Sequence, residues 1–391
     1  MRIVSILGKG AAIQPIQGDS LAALEALGHE LLVLPAESLA NLAQVRDAFR
    51  SFQPDFGFFI ANLALPTAVM EELQIPFASW FADNPFRVVD ERLPRELATI
   101  FCWDRSYLGE LKSMGIERTH WLPLAANPER MTPGPEIPER VAPLSFCADC
   151  GDDELFGDRA FAQVPGLKEA IGFVVEVQTR HPARTAVAIA RQHAARSPAH
   201  RLLDQAIGAD PSLAREIEIC VQASAGPLYR RRVLLELAAG GVPLDVYGPP
   251  GWVRQLGGLP RVRLGPWLEN GEELAQLYRS STVNLNLTIP QLRTAVPMRV
   301  FDVLAAGGAV LSDWRADLDR LFEPGVEVQV ARSVPEMVDL AAWLLRHPRA
   351  ARQSARAGRK RVLAEHTFRH RMQQLVRHMI QDHDLRWSEA A

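Results

Sequence analysis

The residues best placed to do chemistry lie in one short run. Pro297, Met298 and Arg299 open a helical stretch that passes Asp302, meets Ala305-Ala306-Gly307-Gly308 and runs into an apolar segment ending at Asp313. A helix N-terminus offers unpaired backbone N–H groups to a phosphate or diphosphate, and the Thr294 hydroxyl just ahead of it is a further donor. Asp302, five residues before the first glycine, sits one turn in and can accept hydrogen bonds from ribose hydroxyls. Arg299 can pair with phosphate or with Asp302, three residues along the same face. The glycines end the helix and let the next strand start close to a ligand. An ordinary helix–strand unit of an α/β domain has the same outline.

Other candidates lie upstream. Asp83 and Asn84 follow an apolar run and precede Pro85, which turns the chain. A carboxylate there can act as a base or hold an acceptor hydroxyl; an Asx turn that caps the loop is the other reading. Arg230, Arg231 and Arg232 read as the start of a helix, where cations are unfavourable and a bound diphosphate relieves the cost. A solvated charge run is the alternative. Gly8-Lys9-Gly10 after the first apolar run is a glycine-rich loop or a plain tight turn. His29 and His120 read as structural, His120 being also a candidate base. Cys147 and Cys150 form a lone C-x-x-C with no second pair nearby, which argues against zinc or redox chemistry.

The elements that must position these residues follow an α/β rhythm. Apolar runs at 2–7, 30–34, 55–60, 76–81, 99–103 and 119–122 alternate with helical spacings at 20–27, 39–52 and 106–114, the pattern of a parallel, doubly wound sheet. Prolines 133, 135, 138 and 143 mark a linker, so a boundary is expected near residue 140. Residues 151–225 read as mostly helical, an insertion in a second domain whose strands are 144–149, 244–247, 262–264 and 283–287. The arginine-rich tail from Arg346 to Arg377 reads as a solvated helix face. The chain has 391 residues, 48% hydrophobic and 23% charged, with net charge −3. Those values fit two globular domains and argue against a bulk nucleic-acid or membrane binder. No run of about eighteen apolar residues suggests a membrane span, and neither a secretory signal nor a disulfide framework is apparent, so a cytoplasmic location is expected.

Five segments in order resemble the GT-B glycosyltransferases, specifically the group named after the spore-maturation protein CgeB. They are Trp80–Pro85; Asp104 to Tyr107 with Trp121 to Pro128; Tyr229 to Arg232 with Val246-Tyr247-Gly248; Leu264 to Trp267 with Leu274 and Tyr278; and the run from Arg299 to Gly308. The resemblance implies two Rossmann-like domains facing a cleft: 1–140 for the acceptor, 141–365 for a nucleotide sugar, and a helix at 366–391 crossing back. It implies transfer of a sugar from a UDP-, GDP- or dTDP-sugar to a glycan or protein acceptor such as flagellin, with no bound cofactor or metal. Gly8, Arg231, Arg232, Tyr247, Gly248, Trp267, Thr294, Arg299 and Asp302 are then the donor-site candidates, and Asp83 and Asn84 the catalytic ones. Enzymes of glycosyltransferase family 4 carry two glutamates with seven residues between them; here the second position is Asp302 and the first is Thr294. The alternatives are a catalytically idle GT-B binding protein and a nucleotide-sugar epimerase-type enzyme of the same fold.

Overall fold

A computed structural model of the chain describes residues 1–10, 13–89, 93–134, 142–151, 164 and 166–386. Residues 135–141 of the proline-rich stretch, 152–163 and 165 of the helical region, and 387–391 of the tail lie outside the described residues. The chain forms two units, one of Met1–Asn127 with Ala364–Ala391 and one of Pro128–Leu363.

The first unit is built on six parallel strands: β1 Arg2–Ile6, β2 Glu30–Leu34, β3 Phe56–Ile60, β4 Phe77–Phe81, β5 Ala98–Cys102 and β6 Thr119–Trp121, ordered β2-β1-β3-β4-β5-β6. Strands β3, β4 and β5 are buried along their whole length, which is why they read as mainly apolar runs, interrupted only by Ser79 and Thr99. Helix Phe368–His383 packs on this unit. Phe368 meets Trp80 edge-on at 6.1 Å. Arg371, 2% exposed, donates to the carbonyls of Pro123 and Leu124. Part of the tail expected to be a solvated charge face is therefore interior, because a guanidinium can satisfy several carbonyls of an irregular segment at once.

The second unit holds β7 Ala142–Cys147, β8 Leu244–Tyr247, β9 Val262–Gly265, β10 Ser281–Asn286, β11 Val310–Asp313 and β12 Gln329–Ala331, all parallel, in the order β12-β11-β10-β7-β8-β9. The strand order reverses between β7 and β10, and ligands of such sheets bind outside the carboxyl ends at that point. Helices Leu167–Arg180, Ala186–Gln192 and Pro198–Ala209 form a bundle with the first half of Pro211–Ala239, around its own apolar core. The second half of that 29-residue helix packs on the sheet. A separate helix starting at Arg230 was expected there. The helix continues because Gly226 lies against Ile289 and Pro290, and packing on both halves offsets the hydrogen bond that Pro227 cannot make.

The tail helix meets the sheet through a titratable cluster. His120 of β6 lies 2.7 Å from Asp382 and stacks on His378 at 3.8 Å, while Thr99 of β5 reaches Asp382 and His383. Burial, then the charge of His120, lowers the His378 pKa; burial, then Arg118, lowers that of His383; Arg377 opposes and Asp382 favours protonation of His378. Between the ordinary histidine pKa of about 6.5 and these depressed values the unfolded chain binds more protons, so stability falls as pH drops through that window. Urea unfolding at pH 7.5, 6.5 and 5.5 is expected to show this loss, and His378→Phe, which keeps the stack, to reduce it, with His383 and the buried His29, lowered to about 4, supplying part of the remainder. An unchanged pH slope in the variant would count against the cluster as its source.

Candidate functional site

In the second unit the chemistry gathers at the carboxyl ends of β7 and β8. Phe146 and Cys147 end β7, and Ala148 and Asp149 follow. Arg230 donates from Nη1 to the Asp149 carbonyl at 3.1 Å, and its buried Nε has no hydrogen-bond partner. Burial first, and then the nearby charge of Arg299, lower the Arg230 pKa to about 10. Arg299 lies over the Phe146 ring at 5.8 Å, and its own Nε is also buried without a partner. Beside it the Tyr278 hydroxyl is pushed up by burial, with Arg299 pulling the other way. Burial likewise raises the Cys147 thiol, so it is not a ready thiolate. Two guanidiniums repel one another here with donors unspent, an arrangement that a bound anion relieves.

The three arginines expected at a helix start instead sit in the middle of Pro211–Ala239. Successive helical residues turn by about 100°, so only Arg230 faces the strand ends. Arg231 is exposed, and Arg232 lines a groove with Gly172, Glu176 and Arg180 of the bundle. Of the three, Arg230 is thus the one turned toward the strand ends, and Arg231 and Arg232 are not.

Tyr247 and Gly248 end β8. A Cβ on Gly248 would stand 2.4 Å from the Ala148 carbonyl oxygen, which already accepts from the Trp252 indole. Gly265 at the end of β9 is similarly closed by the Tyr247 ring, and Trp267 two residues on is half exposed. Helix Met298–Ala305 starts at Pro297, with Arg299 in its first turn and Asp302 buried at 3% exposure. Thr294 stands ahead of this helix and its hydroxyl donates to Asp317 at 2.9 Å. That proton is committed within the protein, so Thr294 is a loop clamp rather than a phosphate donor. Asp317 is fully buried.

The loop from β10 to this helix is held from behind by Arg315, 2% exposed, which donates to the carbonyls of Thr288 (2.8 Å), Leu292 (3.2 Å) and Trp314 (2.8 Å) and pairs with Asp313 at 2.9 Å. Asp313 in turn accepts from the Thr288 amide and the Tyr229 hydroxyl. Sequence reading passed over Arg315; the only signal was an arginine two residues after an apolar strand.

In the first unit, Asn84 is 3% exposed and accepts from the Phe86 amide, capping the turn Pro85–Arg87. Its side chain serves the fold, which corrects its assignment as catalytic. Asp83 is half-buried and accepts from the Asn84 amide at 2.7 Å. The Gly8 amide donates to Gln17, whose own amide returns to Ser5 and the Ile6 carbonyl. Gly8 is thus part of a closed turn and has no free N–H for phosphate. Beside it, after β3, Ala61, Asn62 and Ala64 all have positive φ, a costly conformation for residues other than glycine. The side-chain Oδ1 of Asn62 is buried without a hydrogen-bond partner. No glycine flagged this strained turn in the sequence.

All four cysteines are buried. Among the described residues no group of three or more His, Cys, Asp or Glu could hold a metal ion, and no helix is long and apolar enough to cross a membrane.

Residues 230–377 match a family described as Glycosyl transferase-like. No curated protein matches the chain. Among solved structures, a glycosyltransferase from Rickettsia africae aligns with a TM-score of 0.60 at 8% identity, covering 97% of this chain and 98% of the other. Sucrose-phosphate synthase from Thermosynechococcus elongatus aligns with a TM-score of 0.54 at 13% identity and the same coverage. Anabaena Alr3699/HepE, solved with UDP-glucose, gives 0.54 at 11% identity over 97% of this chain and all of its own. At these identities the likeness is one of fold: two parallel-sheet, Rossmann-like domains of the GT-B type.

The tight strand end gives a direct test. Gly248→Ala is expected to lower stability by about 1–3 kcal/mol, the usual cost of forcing atoms into a filled space. Chemical denaturation measures it, and a variant as stable as the parent would show that the β8 end has room the geometry denies.

Proposed function

We propose that the protein is a GT-B glycosyltransferase that moves a sugar from a nucleoside diphosphate donor to a glycan or protein acceptor. The observation that carries this reading is the pair Arg230 and Arg299, meeting at the reversal point of the second sheet with buried, unspent Nε donors. A diphosphate supplies the charge and the acceptor atoms that this pair lacks, and stabilising it as it leaves is the main work of such a transfer. Asp302 is then the residue for the ribose hydroxyls, and Tyr247, Gly248 and Trp267 flank the base. With two arginines facing the diphosphate, a metal is not required to neutralise it. The acceptor belongs to the first unit, where Asp83 is the candidate base and the strained turn at Ala61–Ala64 the candidate contact surface. Membership of the CgeB-type group and a cytoplasmic location belong to the same proposal.

A second reading, a GT-B protein that binds a nucleotide sugar without transferring it, rests on Thr294, which stands where a family 4 glutamate would be and spends its hydroxyl on Asp317. Incubation with UDP-, GDP- and dTDP-sugars and an acceptor extract separates the two, since only the transferase releases nucleoside diphosphate in proportion to glycosylated product.

Four substitutions follow from the assigned roles. Arg230→Gln and Arg299→Gln are each expected to weaken nucleoside diphosphate binding tenfold or more by calorimetry, and Asp302→Ala by about 1–3 kcal/mol, the worth of a charged hydrogen bond. Asp83→Asn should leave that affinity nearly unchanged and cost on the order of a hundredfold in turnover. Folded arginine variants that bind as tightly as the parent would remove the diphosphate from this site.

A further inference from the structure

The second unit has another cavity, of about 250 Å³, at the carboxyl ends of β11 and β12. The helical bundle closes one side with the turn after helix Leu167–Arg180, bringing Arg180 and Arg184; the sheet brings Trp314, Arg315 and Arg332. Val233, Val334 and Met337 give it an apolar floor. Asp313 separates it from Arg230, lining the cavity and also favouring the charged form of that arginine.

The charges in this cavity do not cancel. Arg315 is neutralised by Asp313 in a buried pair, whereas Arg180 meets Glu176 at 2.5 Å in an exposed one. Arg184 has the neutral Gln192 as its hydrogen-bond partner. Arg332 lies over the Trp314 ring at 4.7 Å, with Asp319 3.9 Å away across an exposed contact, which is worth little in water. Two guanidiniums from different structural layers therefore converge on one concave, partly apolar space. Its volume corresponds to about eight waters and lies below the roughly 300–1,000 Å³ of pockets for larger ligands. That excludes a nucleotide sugar and suits a small anion with a carbohydrate-sized body, for which an indole face and arginine forks are the appropriate surfaces.

We propose that this cavity binds an anionic small molecule of hexose-monophosphate size, held by Arg184 and Arg332 against Trp314. The site is independent of the transferase reading, because none of these three residues belongs to the proposed donor or acceptor sites.

The test is calorimetric titration of the full chain with glucose 6-phosphate, with glucose as the neutral control. Saturable binding of the phosphate ester is expected, with none of glucose. Arg184→Ala and Arg332→Ala together should weaken binding at least tenfold, with an unchanged unfolding midpoint because both side chains reach solvent. Arg299→Gln should leave it intact. The proposal fails if the parent does not bind up to 10-millimolar concentrations (on the order of the weakest useful affinity), if glucose binds equally well, if the double variant binds as the parent does, or if Arg299→Gln abolishes binding and so moves the anion to the other site.

Discussion

The burial of the Arg315 guanidinium behind the loop from β10 to helix Met298–Ala305 is the interaction on which the second unit depends. That loop leaves the sheet at Asn286 and has no ladder to satisfy its backbone, so its carbonyls need donors from elsewhere. One planar cation with five N–H groups reaches Thr288, Leu292 and Trp314 together. Asp313 balances the charge and fixes the Thr288 amide. Burying such a pair costs desolvation, which is recovered only when the remaining donors and acceptors are used, and here Tyr229 adds a second donor to the Asp313 oxygen that Arg315 holds, while the Thr288 amide takes the other. With the loop held at both ends, Pro297 starts its helix at a defined place. Arg299 and Asp302 inherit their positions from it.

The same device recurs in the arginine-rich C-terminal segment. In helix Pro348–Glu365 the buried face consists of Ala351, Ser354, Ala355, Gly358 and Val362, small enough for close approach. Gly358 lies against Leu304 and the Glu327 carbonyl, Arg359 donates to the Ala305 carbonyl, and Arg361 pairs with Glu327. Arg359 thereby satisfies one carbonyl at the C-terminal end of helix Met298–Ala305, whose last carbonyls have no partner within the helix. A high local positive charge in this chain therefore marks backbone repair as much as solvation.

Much of the fold was legible, and the reason is physical. Strands buried on both faces, such as Phe56–Ile60 and Phe77–Phe81, must be mainly apolar runs, and their ends show where ligands approach a parallel sheet. Tyr247 and Gly248 could be placed at such an end from the sequence. What was not legible depends on rotation and on pairing at a distance. Whether Arg230 or Arg231 faces inward follows from where the helix begins, and Pro227 concealed that it begins at Pro211. Asn84, Gly8 and Thr294 have plausible chemical groups, but each is spent on a neighbour: the Phe86 amide, the Gln17 carbonyl oxygen and the Asp317 carboxylate. Residue type announces a capability; only the fold shows whether it is still available.

The continuity of helix Pro211–Ala239 also limits how this lineage of sequences can vary in length. At about 1.5 Å per residue it is a single rod of about 43 Å, with the bundle at one end and the sheet at the other. A residue gained or lost in the turns between bundle helices, as around Ala194–Arg196, changes only local spacing. The same change between Gly226 and Arg230 rotates one half of the rod against the other by about 100° and carries either the bundle face or Arg230 out of register. Insertions and deletions should therefore accumulate in the turns and be purged from the middle of the rod, even though that segment touches no proposed substrate except through Arg230.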